Sequence, residues 1–325
     1  MSLTEFSLIE KYFAAQARKR ADVATGIGDD AAVVDVPAGE QLVVAVDTLV
    51  AGVHFPLSAT PADIGHKALA VNLSDLAAMG AYPCWATLAL TLPQADAAWV
   101  AEFARGFFAL AERYQVELIG GDTTRGPLCV SVQIHGRVPR GQALLRAGAQ
   151  VGDRIFVSGC LGDAGLALRL LQTARPCVSS DSRAALEARL HRPDPQVLLG
   201  ERLRNIASAA IDVSDGLLAD LGHVLECSRV GATVWVDRLP RSAAFQACVP
   251  PQDTEWYALP LAAGDDYELC FTVAPRQLET LYACARELAV PITEIGVIEV
   301  EPGLRCCLDD GRAYLPQRQG YEHFD

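Results

Sequence analysis

The chain has 325 residues, 51% of them hydrophobic, which is enough for two packed domains and excludes a disordered chain. Its formal net charge of −13 disfavours nucleic acid and anionic membranes as partners and would also repel a nucleotide, so an anionic substrate here needs a local cation. No apolar run reaches the roughly 18 residues of a membrane span, and the opening MSLTEFSLIEKYFAAQARKR is not a signal peptide, so a cytoplasmic protein is expected.

In chain order, Phe6, Ile9, Phe13 and Ala17 recur at helical spacing behind a Ser2–Glu5 capping box. Residues 31–36 and 42–46 read as β-branched strands. Thr60-Pro61 opens a helix that runs to Met79-Gly80. A strand over 84–92, a helix over 95–114 and strands over 116–119 and 128–138 follow. A break is expected where Pro139, Gly141, Gly148 and Gly152 cluster, giving domains 1–139 and 140–325. Beyond it the pattern predicts strands over 153–158, 209–213, 232–236, 267–273, 293–300 and 304–308. Helices are predicted over 163–172, 183–190, 195–205, 216–228 and 275–289. Strands and helices alternate in both halves, so the fold class is α/β or α+β. The ten cysteines form no C-x-x-C pair and read as reduced packing residues, without the spacing of a zinc site.

The usual phosphate grips are missing. G-x-x-x-x-G-K-[ST] does not occur, and Gly26-Ile27-Gly28-Asp29-Asp30-Ala31 leads into a strand rather than a helix, which argues against a dinucleotide fold. No protein-kinase motif set and no G-x-S-x-G is present. What recurs is aspartate beside glycine or at a strand end: Gly28-Asp29-Asp30, Val46-Asp47-Thr48, Gly120-Gly121-Asp122, Asp212-Val213-Ser214-Asp215-Gly216 and Gly264-Asp265-Asp266. Asp75 adds a sixth place, inside a helical run. Each Asp-Gly pair alone is an ordinary turn. Together they are a set of hard oxygen donors of the kind magnesium prefers. One magnesium normally takes one or two carboxylates, so this many would serve several ions. Such a trap suits phosphoryl transfer between two anions, and an acceptor that is already an ionised phosphate needs no general base.

The blocks EFSLIEKYF, GIGDDAAV, VDTLVAGVHF, KALAVNLSDLAAMGA, LIGGDTTRGP, AIDVSDGLLADL and GDDYELCFTV together resemble the thiamine-monophosphate kinase family, within the aminoimidazole ribonucleotide synthetase-like ATP-binding superfamily. The match runs over nearly the whole chain. The resemblance implies ATP-dependent conversion of thiamine monophosphate to thiamine diphosphate. It implies a two-domain fold with an N-terminal ATP- and magnesium-binding domain whose mixed sheet pairs across a homodimer, and a C-terminal α/β domain. It implies Mg2+ at Asp30, Asp47, Asp75, Asp122, Asp212 and Asp215, with Asp29 ranked lower. ATP contacts are implied at Gly121, Asp122, Arg146 and Ser214, and contacts to thiamine monophosphate at His54, Asp265 and Tyr321. No residue is assigned as a general base.

Two departures bear on these roles. Ala45-Val46 stand where the family often carries hydroxyl side chains, so only their backbone carbonyls could serve there. Ala263-Gly264-Asp265-Asp266 replaces the family's Gly-Gly-Glu-Asp, one methylene shorter at 265. The competing readings are another ATP-dependent synthetase of the superfamily and a non-catalytic divalent-metal-binding protein. The former is disfavoured because the first cysteine is Cys84 and the chain ends without one. The latter lacks EF-hand spacing.

Overall fold

The computed structural model describes residues 5–17, 19–173 and 179–321. Ser2 of the expected capping box lies outside them. The chain divides into two compact units, one of Met1–Leu76 with Ala81–Gly141, the other of Ala77–Gly80 with Gln142–Asp325.

The first unit begins with α1 (Glu5–Leu8), which continues as a π-helix over Ile9–Ala14. It contains the short strands β1 (Val23–Thr25) and β2 (Val33–Val34) and a four-stranded mixed sheet in the order β3-β6-β4-β5. These are β3 (Glu40–Val50), β4 (Tyr82–Leu92), β5 (Glu117–Arg125) and β6 (Cys129–Pro139). β3 and β6 pair antiparallel along their whole length, and β4 and β5 run parallel. Helix α2 (Pro61–Ala78) precedes β4, and α3 (Ala97–Arg113) crosses from β4 to β5. Asp96 caps α3, accepting from the N–H groups of Ala98 and Trp99. The two helices cross closely because both carry glycine at the crossing. A Cβ on Gly106 would stand 1.9 Å from the Ala62 carbonyl oxygen, and one on Gly65 2.1 Å from that of Phe103. Leu69, Leu73, Leu76, Phe103, Phe107, Leu90 and Ile134 fill the core of this unit.

The second unit is a seven-stranded sheet in the order β13-β12-β9-β11-β7-β10-β8. Its strands are β7 (Arg154–Ser158), β8 (Ala207–Asp212), β9 (Gly231–Trp235), β10 (Leu269–Val273), β11 (Ile292–Glu299), β12 (Gly303–Cys307) and β13 (Ala313–Tyr314). Its helices are α4 (Asp163–Gln172), α5 (Ser180–His191), α6 (Val197–Leu203), α7 (Leu217–Ser228), α8 (Ala243–Cys248), α9 (Glu255–Ala262) and α10 (Leu278–Leu288). One core cluster, including Ile155, Val157, Ile211, Leu217, Leu221 and Val234, packs α7 on the sheet. A second joins α4, α5, α8 and α9 through Leu166, Leu170, Leu186, Leu190 and Phe245.

The α/β expectation holds, with corrections that matter for the site. β5 runs to Arg125 rather than stopping at 119, so Asp122 lies within a strand. Gly120-Gly121 reads as a breaker, but Gly121 lets β5 approach β4, since a Cβ there would fall 1.9 Å from the Leu88 carbonyl oxygen. Asp47 likewise lies inside β3, which extends to Val50 through its full pairing with β6. β2 is only two residues long, and β10 starts at Leu269 because Asp265 and Tyr267 adopt positive φ of 61° and 51°. Helices α8 and α9 were not expected. The cysteines are not all reduced: among the described residues eight are free thiols, while Cys248 is disulfide-bonded. Among the described residues no helix is long and apolar enough to cross a membrane.

Candidate functional site

In the first unit, β1 is fixed by charge. The Arg20 guanidinium grips Asp22 through two bonds at 2.9 and 2.8 Å, and the Trp85 indole donates to Asp22 Oδ1 at 3.2 Å. Arg20 holds the Asp22 carboxyl below its ordinary range, despite partial burial. This anchor precedes the Ile27–Ala32 turn, in which Asp29 Oδ1 accepts from the Asp30 N–H at 2.9 Å. The turn faces the middle of β5 across a cavity of about 670 Å³. Its lining includes Gly28, Asp29, Asp30, Thr87, Gly121 and Asp122. Asp30, Gly121 and Asp122 are thus brought together, as is the lower-ranked Asp29. The three aspartates are exposed to solvent there.

Asp47, His54 and Asp75 lie elsewhere in the same unit and do not line this cavity. Asp47 is half-buried on β3, where the pairing sets Asp47, Val132, Leu88 and Gly121 level across the sheet. His54 sits in the turn after β3. Its Nδ1 accepts the Val50 N–H at 3.0 Å, which leaves Nε2 as the protonated nitrogen of the neutral ring. Lys67, 2% exposed, donates its Nζ to the His54 carbonyl oxygen at 3.1 Å. Asp75 is half-buried in α2, between the fully buried Ser74 and Asn72 on one side and the end of the helix on the other.

In the second unit the predicted residues gather on the Val213–Gly216 turn between β8 and α7. The N–H groups of Ser214, Asp215 and Gly216 all donate to Asp220 Oδ2, at 3.0, 3.1 and 3.1 Å. The backbone donors that could have cradled a phosphate are therefore occupied by an internal carboxylate. Burial pushes Asp220 up to about 7, and the charges of Asp212 and Asp215 push in the same direction. The segment carrying Asp265 is bonded to the same turn: Asp265 N–H donates to Ser214 O at 2.8 Å, and Tyr267 N–H to Val213 O at 2.8 Å. Tyr321 N–H donates to Asp215 O at 3.0 Å. Ser214, Asp215, Asp265 and Tyr321 are thus held within one hydrogen-bonded group, with Asp212 ending the adjacent β8. Arg146 is exposed, and its backbone carbonyl accepts from Ser228 Oγ at 3.2 Å, while Ser228 Oγ itself accepts the N–H groups of Gly148 and Ala149.

Comparison with known proteins bears on this arrangement. The AIR synthase related protein N-terminal domain model matches residues 28–138. The thiamine-monophosphate kinase of Salmonella typhimurium strain LT2 is 48% identical over 325 residues, covering 100% of this chain and 99% of its own. The chain belongs to the thiamine-monophosphate kinase family. A crystal structure of the thiamine-monophosphate kinase from Stenotrophomonas maltophilia K279a aligns with a TM-score of 0.87 at 51% identity, over 97% of this chain and 99% of that one. The structure of AaThiL complexed with AMPPCP and TMP aligns with a TM-score of 0.76 at 31% identity, over 100% of this chain and 99% of that one.

Membership of the thiamine-monophosphate kinase family makes divalent metal the group to test against these residues. Among the described residues, no three His, Cys, Asp or Glu side chains form a ready-made metal site. The donors are all hard carboxylates, and the charges of Asp212 and Asp215, which add to the effect of burial on Asp220, mark a place with surplus negative charge. Both features fit magnesium, which completes its shell with water and substrate phosphate rather than with a full protein cage.

Asp220 and Lys67 escaped the sequence reading. Asp220 lies in the apolar run Leu217-Leu218-Ala219-Asp220-Leu221, and Lys67 in His66-Lys67-Ala68-Leu69. A charged residue inside an apolar helical stripe was the available signal in both, because such a group is buried only with partners.

Proposed function

We propose that this protein transfers the γ-phosphoryl group of ATP to thiamine monophosphate, giving ADP and thiamine diphosphate. The observation that carries the reading is the 48% identity to a thiamine-monophosphate kinase over the full length. It is supported by the acidic residues present around the cavity and at the Val213–Gly216 turn.

In the first unit, Gly121 and Asp122 face the nucleotide phosphates, and Asp30, Asp47, Asp75 and Asp122 hold magnesium. His54 presents its Nε2–H to the phosphate of thiamine monophosphate. In the second unit, Asp212 and Asp215 hold metal, while Ser214 and the fixed positive charge of Arg146 contact ATP. Asp265 pairs with the cationic or aminopyrimidine part of thiamine, and Tyr321 stacks against one of its rings. Asp265 Oδ1 accepts from Tyr267 Oη at 3.1 Å, which orients the shorter side chain that this chain carries there. Magnesium, when bound, neutralises the phosphate charges and lets the two anions approach. The acceptor is an ionised phosphate oxygen, so positioning and charge neutralisation suffice and no base is required.

The protein acts as a homodimer joined through β3. Leu42, Val44 and Val46 alternate onto one face of that strand and are 46%, 47% and 61% exposed, a stripe that a second copy would cover. Its place is the cytoplasm. The test is incubation with ATP, Mg2+ and either thiamine monophosphate or thiamine. Thiamine diphosphate from the monophosphate alone supports the reading; absence of product from the monophosphate would falsify it.

A further inference from the structure

The Asp265–Glu268 segment divides its side chains between two tasks. Asp265 and Tyr267 bond to each other, whereas Asp266 and Glu268, 3% and 2% exposed, bond away from them to Gly162, Ser158 and Arg189. Asp266 receives the Gly162 N–H at 2.9 and 3.0 Å. Glu268 accepts Ser158 Oγ at 2.6 Å and Arg189 Nη2 at 2.6 Å. The same Arg189 nitrogen lies 3.3 Å from the Asp266 carbonyl oxygen. Arg189, from α5, therefore bonds both to the backbone between Asp265 and Tyr267 and to the side chain that follows. Both flanking residues hold positive φ, 61° and 51°, a conformation that persists in non-glycine residues only where the surroundings enforce it. Space is also closed from the other side: a Cβ on Gly159 would stand 2.1 Å from the Glu268 carboxylate.

We propose that Arg189 is a positioning residue for thiamine monophosphate: it fixes the left-handed Asp265–Tyr267 backbone and thereby aims the Asp265 carboxylate at the substrate. The inference rests on the reading that Asp265 faces thiamine. Arg189 is placed to do this because its guanidinium is always charged and offers several donors from one planar group, so it can serve two acceptors at once. Lysine at 189 would keep the charge but offer a single ammonium on a flexible stem.

The experiment compares Arg189→Lys, Asp265→Asn and the double variant in steady-state kinetics, with melting temperature as a control for folding. Arg189→Lys is expected to raise KM for thiamine monophosphate about tenfold, the scale of one charge-assisted hydrogen bond, while KM for ATP changes less than about twofold. Asp265→Asn is expected to raise the same KM. The double variant should match Asp265→Asn within about twofold, because Arg189 acts only through that carboxylate. A neutralised network, Arg189→Met with Glu268→Gln, guards against loss of folding in any one variant and should show the same selective KM increase. If Asp265→Asn raises KM but Arg189→Lys and the neutralised network leave it unchanged, or raise both KM values alike, the positioning role is overturned while the thiamine-side reading stands. If Asp265→Asn leaves KM for thiamine monophosphate unchanged, that reading fails and takes the proposal with it.

Discussion

Gly121→Ala is the sharpest test of how the first unit builds its cavity. Gly121 holds φ +151°, and a Cβ there would lie 1.9 Å from the Leu88 carbonyl oxygen and 2.7 Å from its carbon. Ordinary van der Waals contact begins at 3.4 Å, so β4 and β5 would have to part by about 1.5 Å at this point. That separation breaks the parallel pairing of Leu88 with Gly121 and of Ala89 with Asp122. Backbone strain contributes about 1–3 kcal/mol, and overpacking against a backbone that cannot rotate away about 1–3 kcal/mol more. The expected cost of about 2–6 kcal/mol corresponds to a melting temperature lower by about 3 °C or more. Gly39→Ala is the control. Gly39 has φ +89°, but among the described residues nothing would lie within 4 Å of its Cβ, so it bears the conformational cost without the collision. Differential scanning calorimetry of both variants, with KM for ATP measured alongside, reads the difference. If Gly121→Ala melts no lower than Gly39→Ala, the close strand approach does not shape the cavity.

Asp75→Asn should remove turnover while leaving the melting temperature at or above that of the parent, since one charge leaves an acidic set; near-parental kcat in a coupled ATPase assay would contradict the metal role. Magnesium at millimolar concentration should raise the melting temperature by relieving carboxylate repulsion, and an unchanged curve would count against the sites. Burial holds the His135 imidazole below its usual value, and its Nδ1 has no hydrogen-bond partner among the described residues. As pH falls, the unfolded chain takes up this proton first, so the contribution is level above about pH 7 and stability drops as pH passes below about 6.5. His135→Gln should flatten the fall in melting temperature between pH 7.5 and 5.5, and parallel curves for the two proteins would refute the assignment. If the proposed dimer forms through β3, Val46→Glu should give monomer in analytical ultracentrifugation, because it places a charge at the most exposed position of the Leu42-Val44-Val46 stripe.

The main helices of both units were legible because their signals are local: Pro61 at the first turn of α2 and an apolar period in α3 sufficed. Strand extents were less so. β5 passes through Gly120-Gly121 because β4 lies beside it, and no local signal carries that information. The sequence pointed to aspartates near glycine, and the structure gathers Asp30 with Asp122 and Asp215 with Asp265. It could not reveal that Asp220 occupies the N–H groups of the Val213–Gly216 turn, nor that Asp266 and Glu268 face inward while Asp265 does not. Four consecutive residues, Asp265 to Glu268, carry opposite duties that only the positive φ values and the partners from α5 distinguish.

The most direct measurement follows the label from [γ-32P]ATP incubated with magnesium, thiamine monophosphate and the purified protein. Direct phosphoryl transfer predicts that the label appears in thiamine diphosphate in equal amount to the ADP formed. Label released as inorganic phosphate, with thiamine monophosphate recovered unchanged, would contradict the account.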